Sequence, residues 1–228
     1  FTYFGFSSWF WGMYAELHVS SAFSFLEGAN QPEDLAAVAA DLGLETVALL
    51  DMDGLYGAPR FYRAARERGI RPLVGAKLTM EDGSRLPVLV ESQEGYRKLC
   101  RLLSDAALRG SKEERPVYWA DLEELGGGLI ALSGDETGPL GRAWHSAGEA
   151  GVREMTTRLR RIFPQDRLYL EIQRHHRRNE AIWHNVLLDL RAKEGLPLVA
   201  TGGAVAARRE DRLVADVFAA LRNHLSLD

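Results

Sequence analysis

The sequence predicts an α/β fold in which seven strands alternate with helices, as either a barrel-like or a doubly wound sheet. Three observations lead to this expectation. Continuous apolar runs such as residues 46–50 are typical of parallel strands that are covered on both faces. Segments with apolar residues at helical spacing separate these runs. The 228 residues suffice for one large domain with a substantial core.

The first strand, at residues 14–19, is a short buried run that leads into a polar loop. Asn30 is expected to cap the helix that follows, because Pro32 suits the first turn of a helix. Gly43 is well placed to end that helix, and the apolar run at 46–50 is the second strand. This alternation is that of a crossover unit between parallel strands.

A second helix at 59–68 is followed by a third strand at 72–79. The polar residues 81–84 predict a hairpin turn into a fourth strand at 86–90. The next helix, at 93–108, carries apolar residues at helical spacing. We expect its buried stripe to consist of Tyr96, Leu99, Leu103 and Ala107.

The second half of the chain continues the alternation of strands and helices. Strands are predicted at residues 129–133, 168–172 and 196–201. Helices are predicted at residues 120–125, 138–163 with a break near Gly148 and Gly151, 179–195 with Asn179 as its cap, and 211–222.

The composition indicates one domain with an additional segment in front of it. Residues 1–12 are dense in Phe and Trp but lack the basic region of a signal peptide. We interpret them as an appended or upstream segment, and residues 13–228 as the folded domain. The single cysteine, Cys100, excludes an internal disulfide framework and favours a reducing, cytoplasmic setting. The net charge of -4 gives no overall attraction to nucleic acid or anionic membranes, and no apolar run approaches a membrane span of about 20 residues.

Polar residues cluster where the predicted strands end, and these ends converge on one face of a parallel barrel. His18, Asp51 and His175 are the candidate metal ligands, because imidazole and carboxylate groups bind Zn, Mn or Mg ions for phosphoester hydrolysis. The other polar residues at these ends are Ser20, Asp53, Lys77, Asp135, His176 and Thr201. The alternative is that strand ends are polar because loops are exposed.

A basic run, residues 174–178, follows the sixth strand. It is consistent either with a phosphate-binding site or with a solvated loop. Arg174 is the member that could meet a phosphate group. The pair Arg208 and Arg209 is too short to indicate more than a helix surface.

Several ordered motifs resemble those of the polymerase-and-histidinol-phosphatase (PHP) domain, over residues 14–228. The resemblance is closest to the amino-terminal PHP domain of bacterial DNA polymerase III alpha subunits, in particular their error-prone branch. The motifs are YAELH at 14–18, AFSFLEGA at 22–29, DMDGLYG at 51–57, PLVGAK at 72–77, LIALSG at 129–134, YLEIQRH at 169–175 and LPLVAT at 196–201.

The resemblance implies a distorted seven-stranded (β/α)7 TIM-like barrel with a metal cleft at its carboxyl rim. It also implies that this chain has lost part of the ligand set. Ser20, Met52, Gly203 and Val205 stand where the family has ligands, and Lys77 replaces a glutamate. His18, Asp51 and His175 match the remaining ligand positions. An ammonium and neutral side chains disfavour a cluster of divalent cations on electrostatic grounds.

On this basis we expect no catalytic residue, a vestigial metal site at His18, Asp51 and His175, and at most one weakly held Zn, Mn or Mg ion. The domain would be a structural module that packs against the polymerase body of the same parent chain. It would contact DNA through that parent protein, and no membrane is expected as a partner. A stand-alone metal-dependent phosphoesterase with an altered ligand set is the alternative. A third hypothesis is an anion site formed by Lys77 and Arg174.

Overall fold

The computed structural model describes residues 14–111, 115–178 and 180–225. The strands in these ranges are β1 (Glu16–Val19), β2 (Thr46–Met52), β3 (Arg71–Thr79), β4 (Arg85–Val90), β5 (Leu129–Leu132), β6 (Leu168–Gln173) and β7 (Leu198–Thr201). The α-helices are α1 (Pro32–Asp41), α2 (Ala58–Glu67), α3 (Gln93–Arg109), α4 (Trp119–Leu125), α5 (Pro139–Ile162), α6 (Glu180–Glu194) and α7 (Arg212–Asn223).

The strands form one seven-stranded sheet in chain order, from β1 to β7. A parallel bridge between Val19 and Ala204 links its two edges, and Ser20 N donates to Ala204 O at 2.9 Å. The sheet is therefore a nearly closed barrel, which confirms the barrel-like prediction over the doubly wound alternative. All neighbours are parallel except β4, which is antiparallel to both β3 and β5. The hairpin turn predicted at residues 81–84 produces this reversal.

Apolar side chains fill both the barrel and the layers between the barrel and its helices. Ala48, Leu50, Leu89 and Leu132 form the cluster inside the barrel, with Tyr169 packed against it. A second cluster joins β1 and β2 to α1 and α2, and the largest joins β3–β6 to helices α3–α6. Burial of each large aliphatic or aromatic side chain stabilises the fold by about 1.5–3 kcal/mol.

The predicted cap of the first helix is wrong. Helix α1 begins at Pro32 with Gln31 in the cap position, and no side chain caps it. The Asn30 amide instead donates to Asp211 Oδ2 at 2.9 Å and accepts from Ala207 N at 2.8 Å. Asn30 therefore joins the start of α1 to the loop that precedes α7.

The buried stripe of α3 lies one residue away from the prediction at several positions. Gly95, Leu99, Leu102 and Ala106 are buried, whereas Tyr96 and Ala107 are exposed. The reason is that Gly95 packs directly on the backbone of Gly128, which brings that edge of the helix against β5.

The break predicted in the long fifth helix is confirmed at Gly148, which has φ 58° and ψ -143° inside α5. A left-handed φ is the conformation that glycine adopts without a steric penalty. The segment 1–12 and the cap at Asn179 lie outside the described residues. Within the described part of the chain, no helix combines the length and apolar character needed to cross a membrane.

Gly28, in the loop before α1, is expected to tolerate no side chain. A Cβ atom there would lie 2.0 Å from Ser21 O and 2.8 Å from Ser20 O, both of which are backbone atoms. We predict that Gly28→Ala lowers the free energy of unfolding in urea by about 2–3 kcal/mol. Gly127→Ala is the control, because a Cβ there meets only the flexible end of Lys98 at 3.1 Å. Equal stability of the two variants would contradict this packing.

Candidate functional site

The loops at the carboxyl ends of the parallel strands surround a cavity of about 800 Å³. His18 and Lys77 line it, as do the segments that follow β6 and β7. Of the candidate ligands, His18 and His175 line the cavity, whereas Asp51 is buried and is not among the lining residues. Their individual hydrogen bonds determine what each could do there.

Asp51, at the end of β2, is held by the loop that follows β1. Its Oδ1 accepts from Ser21 N at 2.7 Å and from Ser24 Oγ at 2.8 Å. The Ser21 hydroxyl lies 2.8 Å from Oδ2 and 2.9 Å from Oδ1. Burial raises the pKa of the Asp51 carboxyl, although these hydrogen bonds act in the opposite direction. Both oxygens of this candidate ligand are thus occupied by the protein.

Asp53 has a structural role in the same loop. Its two oxygens accept from Thr79 N at 2.7 Å and Thr79 Oγ1 at 2.6 Å. Asp53 adopts a positive φ of 47°, which is uncommon for a residue other than glycine. These bonds to β3 fix the strained turn, and burial raises the pKa of the Asp53 carboxyl.

His18 lies at the end of β1 and is paired with a carboxylate across the barrel. Its Nδ1 is 2.8 Å from Glu171 Oε1, and both side chains are almost completely buried. The same oxygen accepts from Gln173 Nε2 at 3.0 Å and from the hydroxyl of Thr201. The Glu171 carboxylate therefore connects β1, β6 and β7 at the centre of the rim.

The two oxygens of the Glu171 carboxylate differ in their number of hydrogen bonds. Its Oε2 is buried and has no hydrogen-bond partner among the described residues, whereas Oε1 has three. Burial opposes ionisation, yet the charge and hydrogen bond of His18 lower the pKa of this carboxyl overall. The side chain is thus an acceptor that organises its neighbours.

Lys77, at the end of β3, points its ammonium into the rim and binds Glu27 of the first loop. The Lys77 side chain is 6% exposed and that of Glu27 is 15% exposed. Arg85 Nη1 also lies 3.9 Å from Glu27 Oε2. Burial raises the pKa of Glu27, but the nearby charge and hydrogen bond of Lys77 outweigh it and lower the pKa.

His175 lies on the exposed loop after β6. Its Nε2 is 3.1 Å from Gln173 Oε1, and its backbone N–H donates to the Glu180 carboxylate. Gln173 Nε2 in turn lies 3.1 Å from His18 Nδ1, so the Gln173 amide lies between the two candidate histidines. The bonds of Asp51 lead instead to the serines of the first loop.

Among the described residues, no group of three or more His, Cys, Asp or Glu side chains is arranged to hold a metal ion. The arrangement does not fit the metal cluster that the resemblance implies, because bonds within the protein engage Asp51 and His175 Nε2. The bond between His18 Nδ1 and Glu171 does not count against a metal ion, since a ligating histidine commonly pairs its other ring nitrogen with a carboxylate. The Lys77 ammonium also binds Glu27, a carboxylate of the same rim, so that this group is paired within the protein. The single-ion site at His18, Asp51 and His175 therefore stays a prediction.

Three members of the site were not predicted from the sequence, namely Glu171, Gln173 and Glu27. A signal for the first two was present, because Tyr169, Glu171 and Gln173 alternate along β6 and so share one face of that strand. Tyr169 packs inside the barrel, and polar residues on that face must find polar partners there.

Comparison with known proteins relates the chain to a family of domains. The family model described as "PHP domain" matches residues 16–175. The error-prone DNA polymerase of Mycobacterium tuberculosis is 37% identical over 227 residues, which cover 94% of this chain and 21% of that protein. The DNA polymerase III subunit alpha of Buchnera aphidicola is 32% identical over 87% of this chain and 18% of its own length. The chain thus spans about a fifth of these curated relatives.

Solved structures confirm the barrel. An amidohydrolase from Chromobacterium violaceum superposes with a TM-score of 0.61 at 16% identity, over 86% of this chain and 89% of that one. A metal-dependent phosphoesterase, so described, from Bifidobacterium adolescentis superposes with a TM-score of 0.55 at 15% identity, over 84% and 87% of the two chains. At these identities the likeness concerns the fold.

Proposed function

This chain belongs to the PHP domain family, and from that premise we propose that it is the PHP module of an error-prone DNA polymerase of the DNA polymerase III alpha type. In this proposal the module is a scaffold without catalytic activity of its own, and its metal site is degenerate. Nucleotide transfer and synthesis past lesions belong to the remainder of the polymerase, which the module supports.

The observation that carries the proposal is the replacement of metal-binding groups by internal bonds. Lys77 places an ammonium in the cleft, where it neutralises Glu27. Both carboxylate oxygens of Asp51 accept hydrogen bonds, from Ser21 and Ser24. A divalent cation would have to displace these bonds and approach the ammonium, and both steps oppose binding.

The exposed apolar face of α7 supports a role in packing against the polymerase body. Only Ala215 of this helix is buried, while Leu213 is 67% exposed and Leu221 is 57% exposed. The curated relatives carry about four-fifths of their length outside the matched part, which offers an intramolecular partner. An apolar helix face of this kind is typical of an interface between domains.

A metal-dependent phosphoesterase is the second candidate. It is favoured by the surviving His18 and His175 and by the cavity of about 800 Å³ above them. In this case a metal ion would supply Lewis-acid chemistry, and the histidines would be its ligands.

The test measures bound metal and phosphoester hydrolysis on the full 228-residue chain. After exposure to Zn²⁺ and Mn²⁺ and removal of free ions, we expect less than about 0.1 equivalent of metal and no hydrolysis of a phosphodiester or a primer 3′ end. The control is His18→Ala. Stoichiometric metal would overturn the degenerate site, and hydrolysis that His18→Ala abolishes would overturn the scaffold proposal and establish the phosphoesterase.

A further inference from the structure

The rim cavity has a charge opposite in sign to that of the whole protein. Eight Lys and Arg side chains line it, against three Asp and Glu side chains, whereas the chain carries a net charge of -4. The basic residues come from the loop after β6, the loop after β7, α7, β3 and β4. A concave surface lined by one sign of charge concentrates ions of the opposite sign.

Five of the eight cations already have partners. Lys77 and Arg85 neighbour Glu27, Arg208 binds Asp41 at 3.2 Å, and Arg212 lies 3.8 Å from Asp216. Arg222 donates to Leu26 O at 3.5 Å. The anion site expected at Lys77 is therefore occupied by a carboxylate of the protein itself.

The three remaining cations are Arg174, Arg177 and Arg209. Their guanidinium groups have no hydrogen-bond or ion-pair partner in the part of the chain that the structure describes, and all three line the cavity. Arg174 and Arg177 lie on the loop after β6, and Arg209 lies on the loop after β7. Arg209 is thus part of the cavity wall. The sequence predicts a helix surface for this residue, and that prediction is wrong.

We propose that this cavity binds the phosphate groups of single-stranded DNA through Arg174, Arg177 and Arg209, without a metal ion. Guanidinium groups bind phosphate oxygens through two parallel hydrogen bonds, and three such groups on two loops suit several phosphates better than one. The choice of DNA as the source of these phosphates rests on the proposed function.

The size of the cavity and an exposed aromatic residue beside one of its lining residues favour single-stranded DNA as the ligand. A volume of about 800 Å³ accommodates a few nucleotides of a single strand. Phe25, which is 84% exposed, directly precedes the lining residue Leu26 in the chain. An exposed aromatic ring beside a basic groove is a platform on which bases stack.

The experiment measures fluorescence anisotropy of a labelled oligothymidylate of about 15 nucleotides with the full chain in EDTA. We expect binding at low salt that weakens at least tenfold in the triple variant Arg174→Gln, Arg177→Gln, Arg209→Gln. The slope of log K against log salt should become less negative by about 2, because each lost phosphate contact contributes about 0.7. Phe25→Ala should weaken binding about fivefold or more.

The matched control replaces three exposed arginines away from the cavity, in Arg63→Gln, Arg66→Gln, Arg153→Gln, and so changes the net charge equally. Equal weakening by both triple variants, or no binding in EDTA, would overturn the inference. So would competition by inorganic phosphate as effective as that by unlabelled oligonucleotide, since the site would then hold one phosphate group. None of these outcomes bears on hydrolysis or metal binding. Failure of this inference is therefore distinguishable from failure of the scaffold proposal.

Discussion

Replacing Lys77 with Met is expected to lower the free energy of unfolding by about 3 kcal/mol, as measured by urea denaturation. The substitution leaves the Glu27 carboxylate 15% exposed and without its ammonium partner. A buried charge that loses its partner pays the cost of desolvation without compensation. Arg85, 3.9 Å from Glu27 Oε2, retains part of the attraction and keeps the loss at the lower end of the usual range.

The double variant Lys77→Met, Glu27→Met should recover most of this loss, because an apolar pair of similar volume carries no unpaired charge. Lys98→Met is the control, since the pair of Lys98 with Glu94 is exposed and should contribute less than about 0.5 kcal/mol. A loss of less than about 1 kcal/mol in Lys77→Met would show that the ion pair is not formed.

The pH dependence of Glu27→Gln tests the same pair. Lys77 holds the pKa of Glu27 below its ordinary value of 4.5 in the folded protein, against the effect of burial. The unfolded chain therefore binds a proton first as the pH falls. The stability difference between wild type and Glu27→Gln should be largest above pH 4.5 and should shrink as acid protonates Glu27 in the fold.

Local patterns predicted the alternating strands and helices because each element is encoded within a few residues, whereas the choice of a barrel over a doubly wound sheet came from the resemblance to the family. The hairpin at residues 81–84 even predicted the reversed β4. The partners in the rim could not be predicted in the same way. Glu27 and Lys77 are 50 positions apart, and His18 and Glu171 are 153 positions apart. Such contacts depend on how the barrel closes, which the periodicity of single segments does not specify.

The same limit explains the error at Asn30 and Arg209. Asn30 precedes Pro32 as a helix cap would, but closure of the barrel brings the loop before α7 close enough to take its side chain. Arg208 and Arg209 precede a helical segment, and their sequence predicts a helix surface, but both lie in the loop that lines the cavity. In both cases contacts between distant parts of the chain, and not the local sequence pattern, determine where the side chain lies.

Glu171→Leu should have the largest effect of any single substitution at the rim, a loss of about 3–5 kcal/mol in the free energy of unfolding. The side chain is 1% exposed, and its removal leaves three buried donors, on His18, Gln173 and Thr201, without their acceptor. Each unsatisfied buried donor costs about 1–3 kcal/mol, and small shifts of the strands recover part of the sum.

Glu171→Gln is the matched variant, because its carbonyl oxygen can still accept at the position of Oε1 while the negative charge is lost. We expect it to cost about 1–2 kcal/mol, the part of the loss that belongs to the charge. The amide nitrogen of Gln would take the position of Oε2, which has no partner among the described residues, so that no existing bond is displaced. Urea denaturation at neutral pH separates the two variants. If Glu171→Leu were as stable as Glu171→Gln, the carboxylate would not organise the rim, and the closure of the barrel would have to depend on other contacts, such as the bridge between Val19 and Ala204 and the bond from Gly202 N to Glu16.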